Sequence, residues 1–293
     1  MWKLFRDFAF KVFGRALEPY IEHFDSIKPD LLKSDIGLSL EEYVYVTFFT
    51  LLLVFILEFP TLVIITSLLF KTALLAFLFS FTVTIFILLA VFFFFYSYPS
   101  MIAGGRKKNI DTALPFATTF MGTIASSGAP PAVIFRILSK FKEYGEFSKE
   151  MAKINRDIEA FGMDMIGAIR KTASRCPSDE LKQLLWGMET VIATGGNLGD
   201  FLHDKSRQLI ADYRRKLEQY ADTLSLLTEV YITLVLVGSI FFIIMTALFS
   251  IFSGGESGLF IVSLQFLVIF FGLPFISVGF IMLLRALAPW SGG

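Results

Sequence analysis

The chain has 293 residues, 55% of them apolar and 35 of them phenylalanine, with a mean hydropathy of +0.67. A soluble domain of that composition would have too little polar surface to face water, which points to a membrane protein. The 26 basic and 26 acidic residues balance, excluding a strongly basic nucleic-acid binder, and the single Cys176 excludes a disulfide framework and a cysteine-rich zinc site.

At the start of the chain, Trp2, Phe5, Phe8, Val12, Phe13, Leu17, Tyr20 and Phe24 recur at steps of three and four, with Lys3, Arg6, Lys11 and Arg15 on the other side. The pattern predicts an amphipathic helix with a basic face, lying on the inner leaflet or packed on a cytoplasmic domain. Asp7, Lys11 and Arg15 would interrupt the apolar core of a signal peptide.

Between Glu42 and Arg106 only Glu58 and Lys71 are charged, and between Glu229 and Arg285 only Glu256 is. A hydrocarbon core takes about 20 apolar residues per crossing, so each block holds two crossings. In the first block the spans are expected near Glu42 to Leu57 and Thr72 to Tyr96, with residues 58–71 as an apolar turn marked by Glu58-Phe59-Pro60 and Lys71. In the second, Val230 to Phe252 and Leu259 to Leu284 flank Ser253-Gly254-Gly255-Glu256. The aliphatic and Phe residues of that first leg contribute roughly −5 to −9 kcal/mol to insertion, more than one central charge would oppose.

Basic residues crowd one side of these spans: Lys28 and Lys33, then Arg106, Lys107 and Lys108, then Arg214, Arg215 and Lys216, then Arg285. Lys71 stands alone opposite. The positive-inside rule therefore puts a cell-membrane protein's two termini and its central segment in the cytoplasm.

The central segment has helical periodicity throughout. Asp111 is expected to open a helix bearing Leu114, Ala117, Phe120, Met121 and Ile124, ended by Ser126-Ser127-Gly128. Pro130-Pro131 starts the next, with Ile134, Leu138 and Phe141 inward; Gly145 ends it and Ser148 caps a third bearing Met151, Ile154, Ile158 and Phe161. A shorter helix spans about Met163 to Ser174. Ser178 caps another carrying Leu181, Leu184, Leu185 and Met188; Gly195-Gly196 stops it, and Asn197 caps the last. That last helix meets no glycine or proline from Asp200 until Gly238, so one helix of about 80 Å can run from Leu198 to Phe252.

The expected fold class is all-α: a polytopic membrane protein with four transmembrane helices in two hairpins flanking a cytoplasmic six-helix bundle. The expected divisions are an amphipathic segment (1–41), hairpin 1 (42–98), the bundle (99–229), hairpin 2 (230–285) and a short tail (286–293).

No G-x-x-x-x-G-K-[ST] occurs, and His23 and His203 have no cysteine or carboxylate at metal-ligand spacing. Leu198-Gly199-Asp200 resembles the end of the G-x-G-D motif of prepilin-type aspartyl peptidases, but paired carboxylates are missing from the spans. Glu58 is the sole ionisable candidate for a carrier, and the expected turn puts it near the outer surface rather than at mid-membrane. No catalytic, cofactor or metal residues are assigned, and no cofactor is expected. Two basic clusters, Arg106-Lys107-Lys108 and Arg214-Arg215-Lys216, suit either anionic lipid or an acidic cytoplasmic partner.

Tyr98-Pro99, the basic run, Ile110-Asp111 with Leu114-Pro115, Ser126-Ser127-Gly128, Tyr144-Gly145, Gly162-Met163-Asp164 and Gly195-Gly196-Asn197-Leu198, in this order, resemble the F domain of type II secretion and type IV pilus assembly. The short, single-F-domain archaeal and tight-adherence forms are the most similar in layout. The resemblance implies a non-enzymatic assembly platform that engages a hexameric secretion ATPase and pilin-like subunits. It further implies pairing with itself or with a second platform protein, contact with membrane lipid, and no nucleic acid. On this reading both basic clusters dock the ATPase, while Pro115, Gly128, Gly145, Gly195 and Gly196 shape turns. An archaellum or type II secretion platform is the nearest alternative; a membrane peptidase or a small-solute carrier belongs to other classes.

Overall fold

The computed structural model describes Phe10, residues 18–70, 72–252, Ser263 and residues 266–287, and all secondary structure among them is helical. It divides into two compact units, residues 1–203 and 204–293.

In the first unit a 3₁₀ segment (Glu18–Ile27) leads into α1 (Lys28–Ser34). Most of the expected amphipathic helix lies outside the described residues. Its described end packs on protein: Phe24 meets Phe48 and Phe92 edge-on at 6.1 and 6.4 Å, and Ile27 is buried. Ser39 then starts α2 (Leu40–Leu69) with a capping box, its hydroxyl accepting from the Glu42 amide while Glu42 accepts from Ser39.

α2 does not stop at Leu57. It continues through Glu58 and Pro60 to Leu69, and the next helix starts at Ala73. The turn expected over residues 58–71 is therefore confined to the end of that stretch. Backbone groups freed in hydrocarbon cost several kcal/mol each, so one lost hydrogen bond at Pro60 is milder than a whole unpaired turn.

α3 (Ala73–Ser126) returns along α2. Ala76, Ser80 and Thr84 on α3 are all but fully buried, small enough to let the helices approach, and Ser80 Oγ meets Thr66 Oγ1 at 2.6 Å. Nearer the other end Tyr43 donates to the Phe95 carbonyl at 2.6 Å. α3 also corrects an expectation, since no helix starts at Asp111. Pro99 and Pro115 both sit inside it, and the buried positions Ala103, Arg106, Ile110, Leu114, Ala117 and Met121 keep one period across the supposed break. Tertiary packing along that stripe outweighs the local proline signals.

The second half of α3 carries α4 (Pro131–Leu138), α5 (Glu146–Glu159), α6 (Met165–Arg175) and α7 (Asp179–Thr194). Their shared core includes Ile110, Leu114, Ile134, Phe135, Phe147, Met151, Ile169, Leu181 and Leu185, all fully buried. Fully burying such side chains contributes about 1.5–3 kcal/mol each. Asp164 caps α6, Ser178 caps α7, and Asn197 accepts from the Gly199 and Asp200 amides. Ser148 is not a cap. α5 starts at Glu146, because Gly145 turns the chain at φ +54° and Asn109 Oδ1 takes the Glu146 amide at 2.7 Å. Phe141 and Phe161, expected inward, are exposed beyond the ends of α4 and α5.

In the second unit, α8 (Leu198–Phe252, its first residues belonging to the first unit) runs as one helix, as its lack of breakers suggests. A π-helical segment (Val268–Gly272) leads into α9 (Leu273–Leu287), with Pro274 in the first turn of α9. Tyr231 stacks on Phe280 at 4.3 Å and bonds to Ser277 at 2.8 Å. The loop expected around Ser253-Gly254-Gly255 and the chain's last residues lie outside the described residues.

Four helices, within Leu40–Leu69, Ala73–Ser126, Leu198–Phe249 and Val268–Arg285, are long and apolar enough to cross a membrane. The protein is an all-α, multi-pass membrane protein.

Candidate docking interface

Arg106 leaves the first basic cluster for the interior. Only 9% of its side chain is exposed, because α3 turns it toward α5. There its Nε bonds Glu146 at 2.8 Å and its Nη2 bonds Glu150 at 2.6 Å; Asp35 lies at 3.7 Å, and its Nη1 reaches the Lys33 carbonyl at 2.5 Å. One guanidinium thus ties α1, α3 and α5 together, using the planar fork that lysine lacks. Burial pushes the Glu146 carboxyl up, but hydrogen bonds from Lys149 and Arg106 outweigh it and hold that carboxyl below its usual range. Arg106, expected in the exposed cluster, is desolvated and multiply bonded, and it positions helices.

Glu150 and Lys153 extend this network. Lys153 bonds Asp35 at 2.8 Å and Glu150 at 3.0 Å; one turn on, the buried Asp157 takes Lys171 at 2.7 Å. The Lys171 hydrogen bond draws the Asp157 carboxyl downward against its burial. Lys107 is half-exposed and bonds Asp179 at 2.6 Å, lowering that carboxyl too. Lys108 is half-buried on the same turn of α3.

The second cluster is different. Arg214, Arg215 and Lys216 are all exposed on α8, and Arg215 pairs with Asp212 one turn earlier. These three side chains present cations to whatever approaches.

Among the expected turn residues, Gly128, Gly145 and Gly195 adopt φ of +77°, +54° and +70°. Gly195 and Gly196 close α7 in a Schellman arrangement, donating to the Ile192 and Val191 carbonyls. Gly145 is the most constrained, since a Cβ there would stand 2.5 Å from Asn109 Oδ1. Pro115 is a correction: it is buried inside α3 and makes no turn, its carbonyl accepting from Thr119.

The three aspartates that a peptidase reading would use sit on different helices. Asp111 accepts from Ser178, Asp164 caps α6, and Asp200 lies in the first turn of α8. Among the described residues no group of three or more His, Cys, Asp or Glu could hold a metal ion. His203 bonds Ser126 at 3.0 Å and packs on Gly122. Cys176 is buried, which pushes its thiol up to about 12 and leaves it unreactive. Inside the first hairpin both carboxyl oxygens of Glu58 and the hydroxyl of Thr84 are shielded and unpartnered.

Sequence reasoning missed Asp35, Glu146, Glu150, Lys153 and Asp157. The last four were visible as a 146, 150, 153, 157 spacing, a charged stripe beside the apolar one on α5.

Residues 117–246 match the type II secretion system protein F family. The matched stretch takes in the end of α3, all of α4 to α7 and the part of α8 carrying Arg214 to Lys216, so the exposed cluster lies within it and Arg106 just before it. An uncharacterized protein of Methanocaldococcus jannaschii is 29% identical over 135 residues, 46% of this chain and 23% of that one. Flagella accessory protein J of the same organism is 26% identical over 137 residues, 46% of this chain and 24% of its own. The chain thus matches less than a quarter of the length of these relatives. No solved structure matches.

Proposed function

We propose that the protein is a non-enzymatic assembly platform of the cell membrane, coupling a hexameric secretion ATPase to the assembly of pilin-like subunits into a filament. The observation that carries this reading is an F domain, residues 117–246, set on helices that continue into membrane-spanning stretches. On this reading residues 99–229 and both termini face the cytoplasm, as the basic residues at the span ends favour. Residues 42–98 and 230–285 form the two membrane hairpins, and 1–41 and 286–293 flank them. The platform pairs with itself or with a second platform protein.

Arg214, Arg215 and Lys216 provide the docking charges, with Lys107 and Lys108 in support. Exposed cations steer an acidic partner and set its register, and such contacts raise on-rate more than affinity. α8, unbroken from Leu198 to Phe252, carries ATPase-driven displacement toward the membrane. The similarity to flagella accessory protein J favours an archaellum platform as the second reading.

The test is pulldown of the cognate ATPase from membranes. Reversal by R214E, R215E and K216E together abolishes capture while membrane insertion is retained; undiminished capture refutes the docking assignment. Alanine at Asp111, Asp164 and Asp200 leaves prepilin cleavage intact, whereas lost cleavage would make the protein a peptidase.

A further inference from the structure

Beside the Arg106 network lies an open cavity of about 270 Å³ between α1, the α1–α2 link, α5 and α6. Its wall holds four cations, Lys153, Arg156, Lys171 and Arg175, and three carboxylates, Asp35, Glu150 and Asp157. The carboxylates are committed. Asp35 takes Lys153 at 2.8 Å, Glu150 takes Arg106 at 2.6 Å, and Asp157 takes Lys171 at 2.7 Å. What remains is guanidinium. Arg156 has a 58% exposed side chain, a long 3.5 Å approach to Asp157 and a 5.8 Å cation–π contact with the Phe161 ring, while Arg175 is exposed at the last turn of α6.

The rest of the lining is apolar. Leu31, Leu32 and Leu38 face the same space, and Leu32 is 51% exposed. Gly37 and Leu38 immediately precede Ser39, the cap of the first membrane-spanning helix, so the cavity sits at the level where that helix enters the bilayer. Two solvent-open guanidiniums, one held only loosely and the other exposed, stand beside leucines next to a membrane-spanning helix and match a molecule with an anionic phosphate at one end and hydrocarbon at the other.

We propose that this cavity binds the headgroup of an anionic phospholipid from the adjoining leaflet. Arg156 and Arg175 hold the phosphate, and Leu32 and Leu38 meet the start of the acyl chains. The Asp157–Lys171 and Asp35–Lys153 pairs keep the remaining wall neutral, so the phosphate meets little net repulsion. The site differs from both basic runs of the sequence, and it requires neither the ATPase nor the filament.

The experiment uses the full chain in detergent, titrated with phosphatidylglycerol, phosphatidylcholine or glycerol 3-phosphate and followed by thermal melting. Phosphatidylglycerol raises the melting temperature saturably; phosphatidylcholine and glycerol 3-phosphate do not. In R156Q/R175Q the half-saturating phosphatidylglycerol concentration rises at least about tenfold, a step expected from losing charge-assisted phosphate contacts. R156K/R175K recovers part of the affinity, separating lost charge from damaged folding, and R214Q/R215Q/K216Q binds as the unaltered protein does. Equal stabilisation by phosphatidylcholine, an unchanged titration in R156Q/R175Q, or full reproduction by glycerol 3-phosphate would each overturn the proposal, the last because it would make the ligand a free phosphate ester.

Discussion

Two runs of three basic residues, Arg106-Lys107-Lys108 and Arg214-Arg215-Lys216, are almost the same in composition and opposite in fate. The first is drawn into the protein by carboxylates from α1, α5 and α7; the second stays in the open on α8. A cation is interior when enough anions and carbonyls converge to replace its water, and this convergence is a property of the fold rather than of the run. The contrast gives Arg106 a structural place and leaves the second cluster open to the surroundings, and it can be broken at several points.

The largest effect is expected at Arg106. Arg106→Leu leaves buried Glu150 with the Lys153 cation and Glu146 with Lys149, and breaking a buried pair from one side costs about 3–5 kcal/mol. Thermal melting in detergent should show the deepest loss of any substitution in the two clusters. If Glu150→Leu is added, part of the loss returns, because the uncompensated charge is gone. A variant that melts with the unaltered protein would show that Arg106 is not the tie between α1, α3 and α5.

Next comes Asp157, whose carboxyl Lys171 draws below its normal range. A depressed folded-state value means that stability is present above the unfolded carboxyl's value, about 3.9, and is lost as pH falls through the lower folded one. Asp157→Asn should therefore melt earlier at pH 7, by about 1–3 kcal/mol, with the gap closing toward pH 3. Lys171 is 40% exposed, which places the expectation toward the low end of that range. A gap that widens in acid would reverse the assignment of charge.

Much of this was legible in the chain and some was not, for reasons that differ by region. The membrane spans followed from stretches almost empty of charge, because hydrocarbon penalises charge more strongly than any local preference can offset. The same penalty hid one boundary: Glu58 and Pro60 read as turn signals in water but are carried inside α2. Pro99 and Pro115 are carried inside α3 by the packing of its buried stripe. In the helical central segment the caps at Ser178 and Asn197 were readable because an N-cap is a local hydrogen bond. Ser148 misled because Gly145 and Asn109, 36 positions apart in the chain, together start α5 three residues earlier. The basic clusters were visible as runs. Their division into interior and exterior was not, since the partners of Arg106 come from Asp35 on one side and Glu146 and Glu150 on the other.

Lys107 tests the middle of the comparison. Its bond to Asp179 is short, but both side chains are substantially exposed, 42% and 63%. Water and salt screen such a pair, so a double-mutant cycle of Lys107→Ala with Asp179→Ala should give a coupling of about 0.2–1 kcal/mol that fades at high ionic strength. A coupling approaching that of Arg106 would extend the interior character to the whole first cluster.

The smallest stability effect belongs to the exposed run. Neutralising Arg214, Arg215 and Lys216 with glutamine removes no buried contact and costs at most the local Arg215–Asp212 pair, so each change should stay within about 0.5 kcal/mol. Near-neutral melting is what makes these residues informative, because a change in partner capture can then be attributed to the surface and not to unfolding. If the salt dependence of ATPase capture flattens in the triple variant while melting holds, the cations act by steering. If melting falls as it does in Arg106→Leu, the second cluster is built into the fold as the first is, and the distinction between the two disappears.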